Sequence, residues 1–387
     1  MAYQVEKFIE DLRNSEGRKF VEDRGVSINR IQPVTQQTMH DVFYVPGTDG
    51  KRGAYVKIAK KGRDNQPDRR EMEVEALWYN IFRDRLELPG APQATTFPLG
   101  ENDFALAVEE VPGKTYDAIF KKVVIYEGLS KLLRGTALNG VLNRSAEITA
   151  KAYLLHLKNP DDTPAYFGDL HEEEFNFLND RTLKILREHG KVNTDSLERL
   201  LIATKPVLTK PEIRLFYRDA TPLNWIELIE ESTDGKSIEV AAVDLGSTSY
   251  RPPQFELIAL LETPNTGVDL LDEEQREEVI LRYREKLKSY GTQVSDADEF
   301  LEVYALACTV KNASGVASRV QHIVNNRKEI ETGNEDVRRI AEERLLGNIE
   351  GRNFHARRLR TALRKSEPFY QTLALNKELR NVLTSLD

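Results

Sequence analysis

The sequence predicts an α+β chain of two lobes, a small β-rich N-terminal lobe over residues 1–111 and a large, mainly helical C-terminal lobe over 112–387. Three observations carry this. β-prone runs in the first hundred residues, two of them joined by an Asp-Gly turn, surround one helical stretch. Pro112-Gly113 then breaks the last of these runs. Beyond it, apolar residues recur mostly at helical spacing almost to the C-terminus. At 387 residues the chain is long enough for two modest cores, and 40% apolar content rules out disorder throughout.

Residues 1–12 read as an amphipathic helix with acidic residues rather than a basic stretch followed by an apolar run. Val26 to Ile31 and Val42 to Val45 read as strands. The second passes through Pro46-Gly47-Thr48-Asp49-Gly50 into Ala54-Tyr55-Val56-Lys57-Ile58, and Asp-Gly tolerates the positive φ of a tight hairpin. Lys60 to Arg70 is a charged, solvent-facing connection. Glu71 to Phe82 follows with Val74, Leu77, Trp78 and Ile81 on one helical face. Phe104 to Val111 is a further strand. Within 112–387, Ala146 to Leu157 and Asp195 to Thr204 are helices, and Ile213 to Tyr217 and Ile238 to Val243 are short strands. From Glu273 the pattern is helical again, ending in an extension over about residues 290–387.

The formal net charge is −8, a balance poorly suited to generic nucleic-acid binding, which needs concentrated positive charge. No stretch approaches the ~18 to 20 apolar residues of a spanning helix, so the expectation is a soluble cytoplasmic protein without membrane or nucleic-acid partners. The single cysteine, Cys308, excludes an internal disulfide and sits in an apolar run, where a thiol packs as a small hydrophobe.

The most informative segment is Phe216-Tyr217-Arg218-Asp219-Ala220-Thr221-Pro222-Leu223-Asn224-Trp225. An aspartate leaves a β-run and an asparagine follows five positions later. Twenty residues beyond Asn224, the apolar run Val240 to Val243 ends in Asp244-Leu245-Gly246. Far upstream, Lys57 lies inside a strand and a glutamate-rich helix follows it. Taken singly, Asp219, Pro222 and Asn224 are turn residues, Lys57 a solvated strand lysine, and Glu75 a surface carboxylate.

In this order and spacing they resemble the aminoglycoside phosphotransferase and choline kinase superfamily of the protein-kinase-like fold, over about residues 26–290. The resemblance implies a bilobal kinase fold with a catalytic loop at 216–225 and a metal-binding motif at 244–246. It implies Asp219 as the catalytic residue that accepts or orients the acceptor's proton, with Asn224 and Asp244 holding Mg2+. Lys57 would hold the α- and β-phosphates of ATP, pinned by a helix glutamate. Glu75 is favoured over Glu71 and Glu73 because the Glu75…Tyr79…Phe82 spacing is similar to the family's helix. Glu109, Glu110 and Val111, with Glu109 and Val111 foremost, would form the hinge that binds adenine. ATP and Mg2+ are the implied cofactors. Tyr217-Arg218 stands where the family has His-Gly, and the polar stretch Val34 to His40 stands in place of a glycine-rich loop. Leu154-Leu-His-Leu157 is similar to the helix that packs under the catalytic loop, and Glu256 stands where an aspartate is usual.

Such a constellation suits phosphoryl transfer, where catalysis is mostly positioning and charge neutralisation. The expected function is ATP-dependent transfer of the γ-phosphate to a hydroxyl of a small molecule: an amino sugar, an amino alcohol or an aminoglycoside-like compound. An acidic chain suits a cationic acceptor. The competing readings are an inactive or regulatory kinase-like nucleotide-binding module, AMP transfer, and a protein kinase, since Arg218-Asp219 resembles an H-R-D loop. Against the last, 162 residues separate Lys57 from Asp219, and no A-P-E segment follows Asp244. Phe167-Gly168-Asp169-Leu170-His171 is a decoy with Glu174 where the loop asparagine belongs. Gly351 to Lys365 carries six basic residues and no acid, which reads as a solvated face.

Overall fold

The structure is a computed structural model that describes residues 5–22, 31–34, 41–47, 52–59, 68–163, 171–210, 215–217, 219–228, 239–246 and 248–386. The expected strand before Ile31, the Thr48-Asp49-Gly50 turn, residues 35–40 of the polar stretch, most of the charged connection at 60–70, residues 167–170 of the decoy and Arg218 lie outside them.

The elements run α1 (Val5–Arg13), α2 (Gly17–Glu22), β1 (Gln32–Pro33), β2 (Asp41–Val45), β3 (Ala54–Ile58), α3 (Arg69–Asp84), β4 (Ala94–Leu99), β5 (Asp103–Glu109) and β6 (Gly113–Thr115). Then come α4 (Tyr116–Glu127), α5 (Leu129–Arg134), α6 (Thr136–Lys158), α7 (His171–His189), α8 (Thr194–Leu208), β7 (Leu215–Tyr217), β8 (Trp225–Leu228), β9 (Val240–Ala242) and β10 (Ser249–Arg251). The chain finishes with α9 (Gln254–Leu261), α10 (Glu273–Ser289), α11 (Ala297–Thr332), α12 (Glu335–Lys365), α13 (Glu367–Thr372) and α14 (Asn376–Ser385). The molecule is mostly helical, with small antiparallel sheets.

The chain forms two compact units, each assembled from separate segments: Met1–Tyr126, Arg134–Gly168 and Arg218–Ser249 in the first, and Glu127–Leu133, Asp169–Tyr217 and Tyr250–Asp387 in the second. In the first unit, an antiparallel sheet has the order β1-β2-β3-β5-β4, with α3 inserted in the chain between β3 and β4. The alternation of β3 explains its two faces. Ala54, Val56 and Ile58 point into a core with Phe8 and Leu12 of α1, Phe43, Phe97 and Ala107. Phe8 stacks on Phe43 with ring centroids 4.0 Å apart. Tyr55 and Lys57 therefore take the opposite face, where α3 lies. Asp68 caps α3 by accepting from the Glu71 N–H at 3.2 Å. A second sheet, β6-β8-β9, carries the ends of two candidate-site segments.

The expected strand from Phe104 ends at Glu109 and not at Val111. Its pairing stops when the Glu109 N–H donates to the Gln93 carbonyl (2.9 Å) and the Glu110 N–H to that of Gly53 (2.9 Å). The Leu154 to Leu157 segment also departs from expectation. Leu154 and Leu157 are exposed, and His156 turns to the Thr163 hydroxyl at 2.8 Å.

In the second unit, α9 is wholly buried, and α11 and α12 form a long antiparallel hairpin. Gly315 on α11 makes room for His355 on α12, since a Cβ there would sit 2.6 Å from the imidazole. Asn312 bonds the His355 Nδ1 at 2.9 Å. Glu262, just past α9, has a fully buried side chain that receives Arg358 twice (2.6 and 2.8 Å), Arg276 (3.2 Å) and the Tyr304 hydroxyl (3.0 Å). Cys308 packs beside it, and burial pushes its thiol well above the usual range. The basic run of α12 is thus partly an internal partner rather than a solvated face: Arg358 serves Glu262 and Glu273, and Lys365 reaches Glu273 and Glu277 at 2.8 Å each.

Candidate active site

The site residues named from sequence all belong to the first compact unit. Lys57 Nζ donates to Glu75 Oε1 at 2.7 Å and to Asp244 Oδ1 at 2.7 Å. The partner is thus Glu75 rather than Glu71 or Glu73. Glu75 is 1% exposed, whereas the Asp244 side chain is 53% exposed, so one lysine links a buried anion to an open one. Burial opposes the lysine's charge, but the two carboxylates outweigh it and hold Lys57 well above the usual lysine range. Burial lifts the Glu75 carboxyl, Lys57 pulls it back, and the Asp244 charge pushes it up again; the net direction is upward.

Asp244 follows β9 in the left-handed region, with φ of 60°. Its backbone N–H donates to the Tyr79 hydroxyl at 2.7 Å. Two residues on, Gly246 lies so close to α3 that a Cβ would come within 3.1 Å of both the Glu71 and Glu75 carboxylates. A side chain there would make the two carboxylates give by a few tenths of an ångström, so the close approach favours glycine.

The loop carrying Asp219 is fixed from below. Asn224 ends a 3-10 turn (Pro222–Asn224) and its Nδ2 donates to the Asp219 carbonyl at 2.7 Å. Trp225, fully buried, donates from Nε1 to the Ala220 carbonyl at 3.0 Å. The Val243 N–H donates to the Asn224 carbonyl at 3.0 Å, which ties the asparagine's backbone to the residue before Asp244. Asp219 Oδ1 is buried and has no hydrogen-bond partner among the described residues.

At the segment expected to form the hinge, Glu109 ends β5. Glu110 turns its carboxylate inward to accept from the Tyr44 hydroxyl (2.9 Å) and the Gly53 N–H (3.0 Å). Burial, then the Glu110 hydrogen bond, pushes the Tyr44 hydroxyl up to about 12. Glu110 is accordingly a brace from the end of β5 to β2 and to the residue before β3. Val111 follows outside the ladder, with no backbone hydrogen bond among the described residues.

Sequence reasoning gave no role to Tyr79 beyond its place in the helix spacing. Its position one turn after Glu75, on the same face of α3, is the signal that finds it. Among the described residues no group of three or more His, Cys, Asp or Glu suits a metal ion by itself. Asn224 and Asp244 offer an amide oxygen and a carboxylate instead. That hard-oxygen set fits Mg2+, which takes one or two carboxylates and completes its shell with phosphate oxygens and water. No helix among the described residues is long and apolar enough to cross a membrane.

Comparison with solved structures gives an amicoumacin kinase in complex with AMP-PNP, Ca2+ and Ami, at TM-score 0.51 and 11% identity, over 88% of this chain and 93% of that one. The chain shares the fold of that protein. A Plasmodium vivax ethanolamine kinase also matches, at TM-score 0.43 and 13% identity over 83% and 82% of the two chains. No family model and no curated protein matches the sequence. In this kinase-like fold, the strand lysine, helix glutamate and post-strand aspartate form one bonded set, and the Asp219–Asn224 loop is tied by its backbone to the strand that ends in Asp244.

Proposed function

We propose that the protein is an ATP- and Mg2+-dependent phosphotransferase that moves the γ-phosphate to a hydroxyl of a small molecule, with residues 1–111 as the nucleotide lobe and 112–387 as the helical lobe. The observation that carries this reading is the Glu75–Lys57–Asp244 chain of ion pairs, built from three elements distant in sequence. The Asp219–Asn224 loop held under the same strand end supports it.

In this reading Asp219 accepts the proton of the attacking hydroxyl. Its unpartnered Oδ1 suits that task, because no existing hydrogen bond must break first. Asn224, its Nδ2 already committed to the loop, and Asp244 hold the divalent ion. Bound Mg2+ supplies neutralisation of the charge that develops on the phosphate oxygens. Lys57 orients the phosphates while Glu75 keeps its ammonium in place. The Glu109 and Val111 backbones receive the adenine. An amino sugar, amino alcohol or aminoglycoside-like acceptor fits the acidic chain, and use of ATP by a chain with one buried thiol fits the cytoplasm.

The test is ADP release in the presence of a pooled panel of hydroxyl-bearing amines, for wild type, Asp219→Ala and Asp244→Ala. Acceptor-dependent turnover that falls by about 10²–10⁴ in Asp219→Ala is the expected result. Mg2+-nucleotide binding without turnover on any acceptor would favour a regulatory module. No nucleotide binding at all would sink the reading from Lys57 onward.

A further inference from the structure

Asp244 is one of four non-glycine residues with positive φ among those described, the others being Glu87, Asn265 and Ala374. A side-chain-bearing residue stays in this sparsely populated region only where its surroundings over-determine it. Four contacts help to hold residues 243–246, two of them made by Asp244 itself. Lys57 holds its carboxylate, the Val243 N–H is held by the Asn224 carbonyl, and Gly246 packs between Glu71 and Glu75. The fourth is the hydrogen bond from its own N–H to the Tyr79 hydroxyl, at 2.7 Å from a residue only 2% exposed. It acts directly on the backbone of Asp244.

We propose that Tyr79 is a positioning residue for the metal: by accepting from the Asp244 N–H it fixes the backbone conformation from which the Asp244 carboxylate faces Lys57 and the divalent ion. The inference rests on the phosphotransferase reading above and adds a residue to it. Tyr79 and Glu75 stand four apart on α3, so a single helix face sets both ends of the Asp244–Lys57 pair, its backbone directly and its lysine through Glu75. Phenylalanine at position 79 keeps the ring and the packing but removes the hydroxyl that accepts from this N–H. Asp244 is then free to relax to negative φ and turn its carboxylate away.

The experiment compares full-length wild type, Tyr79→Phe, Asp244→Asn and the double variant. The Mg2+ dependence of AMP-PNP binding is read by calorimetry, and amide exchange at Asp244 is read in the metal-free protein. The expected result for Tyr79→Phe is a roughly tenfold rise in the Mg2+ concentration needed for half-maximal binding, the equivalent of about 1.4 kcal/mol. Metal-free nucleotide binding and the KM for the acceptor stay unchanged. Exchange at Asp244 is slow in wild type and fast in the variant. In the Asp244→Asn background the Tyr79 substitution adds nothing, because the carboxylate through which it acts is gone.

A Mg2+ dependence within twofold of wild type overturns the inference while leaving the phosphotransferase reading intact. An equal loss in both backgrounds overturns it too, since it would mark a merely structural tyrosine. Fast exchange at Asp244 in wild type does the same without needing any variant to fold. A wild type that binds nucleotide with no Mg2+ dependence, or not at all, removes the phosphotransferase reading and this inference together.

Discussion

Glu262→Gln removes one charge from the buried centre of the second unit, and its cost follows from who depends on that charge. Arg358 gives Glu262 two of its hydrogen bonds, at 2.6 and 2.8 Å, and is itself largely buried. Arg276 gives one at 3.2 Å, but it also donates to the carbonyls of Leu261, Val268, Asp269 and Leu271. Glutamine preserves the volume and offers one oxygen in place of two, while its amide NH2 faces a guanidinium. The loss therefore falls mainly on Arg358, with Arg276 cushioned by its four carbonyls. Breaking a buried pair from one side costs about 3–5 kcal/mol, and the cushioning places this variant near the lower figure. That is roughly a 10 °C fall in melting temperature for a unit of this size.

The pH dependence sharpens the test. Burial opposes ionisation of Glu262, but Arg276 and Arg358 outweigh it and hold the carboxyl below its usual value. The stability it contributes is present above the unfolded value near 4.5 and is lost as pH falls through the lower folded value. Urea unfolding of wild type and Glu262→Gln should differ by about 3 kcal/mol at pH 7 and converge below pH 4. A difference under ~1 kcal/mol at neutral pH, or one that does not shrink in acid, would refute the reasoning.

The site and the α11–α12 hairpin give two further expectations. Glu75→Gln frees Lys57 from its buried anchor and should lower kcat/KM for the nucleotide by roughly ten- to a hundredfold. The substitution also breaks a buried ion pair from one side and leaves Lys57 with Asp244 as its remaining carboxylate, so the melting temperature should fall. Steady-state kinetics and a thermal melt check both halves. Burial, aided by Arg319 and Lys311 against Glu262, pushes His355 down to about 4. The unfolded chain then binds the proton more tightly, so stability is full above about pH 6.5 and falls by roughly 3 kcal/mol as pH drops to 4. Urea midpoints across that interval should slope in wild type and flatten in His355→Gln.

Residues whose signal is local were legible in the sequence. Ala54 to Ile58 alternates cleanly, so both the strand and the odd face carrying Lys57 follow from five residues. Glu71 to Phe82 repeats at helical spacing, and α3 extends it by two residues at each end. What escaped depends on partners far along the chain. β4 contains Pro98, a residue that argues against a strand unless, as here, it lies on a sheet edge. β6 is three residues long and exists because Gly113 to Thr115 pair with Ile226 to Leu228. Arg358 read as one cation in a basic run, because nothing near it in sequence names Glu262, 96 residues earlier. Tyr79 read as a landmark of the helix for the same reason: its hydroxyl acts on a residue 165 positions away.

The unequal burial around Lys57 bears on how such a site would change state. Its two bonds have equal length, 2.7 Å, yet they do not resist exchange equally. The Glu75 carboxylate is sealed, so losing its cation would leave a desolvated charge with no water to replace it. The Asp244 carboxylate is more than half exposed, and water or a cation can take over from the ammonium at little cost. Under the proposed function this asymmetry sets the order of events. Asp244 would be the carboxylate to exchange Lys57 for a divalent ion, and Lys57 would keep Glu75 while its remaining donors are free for phosphate oxygens. The backbone of Asp244 must stay fixed through that exchange, which is why its anchor is better drawn from a neutral buried hydroxyl on α3 than from a charge that the ion would repel or attract.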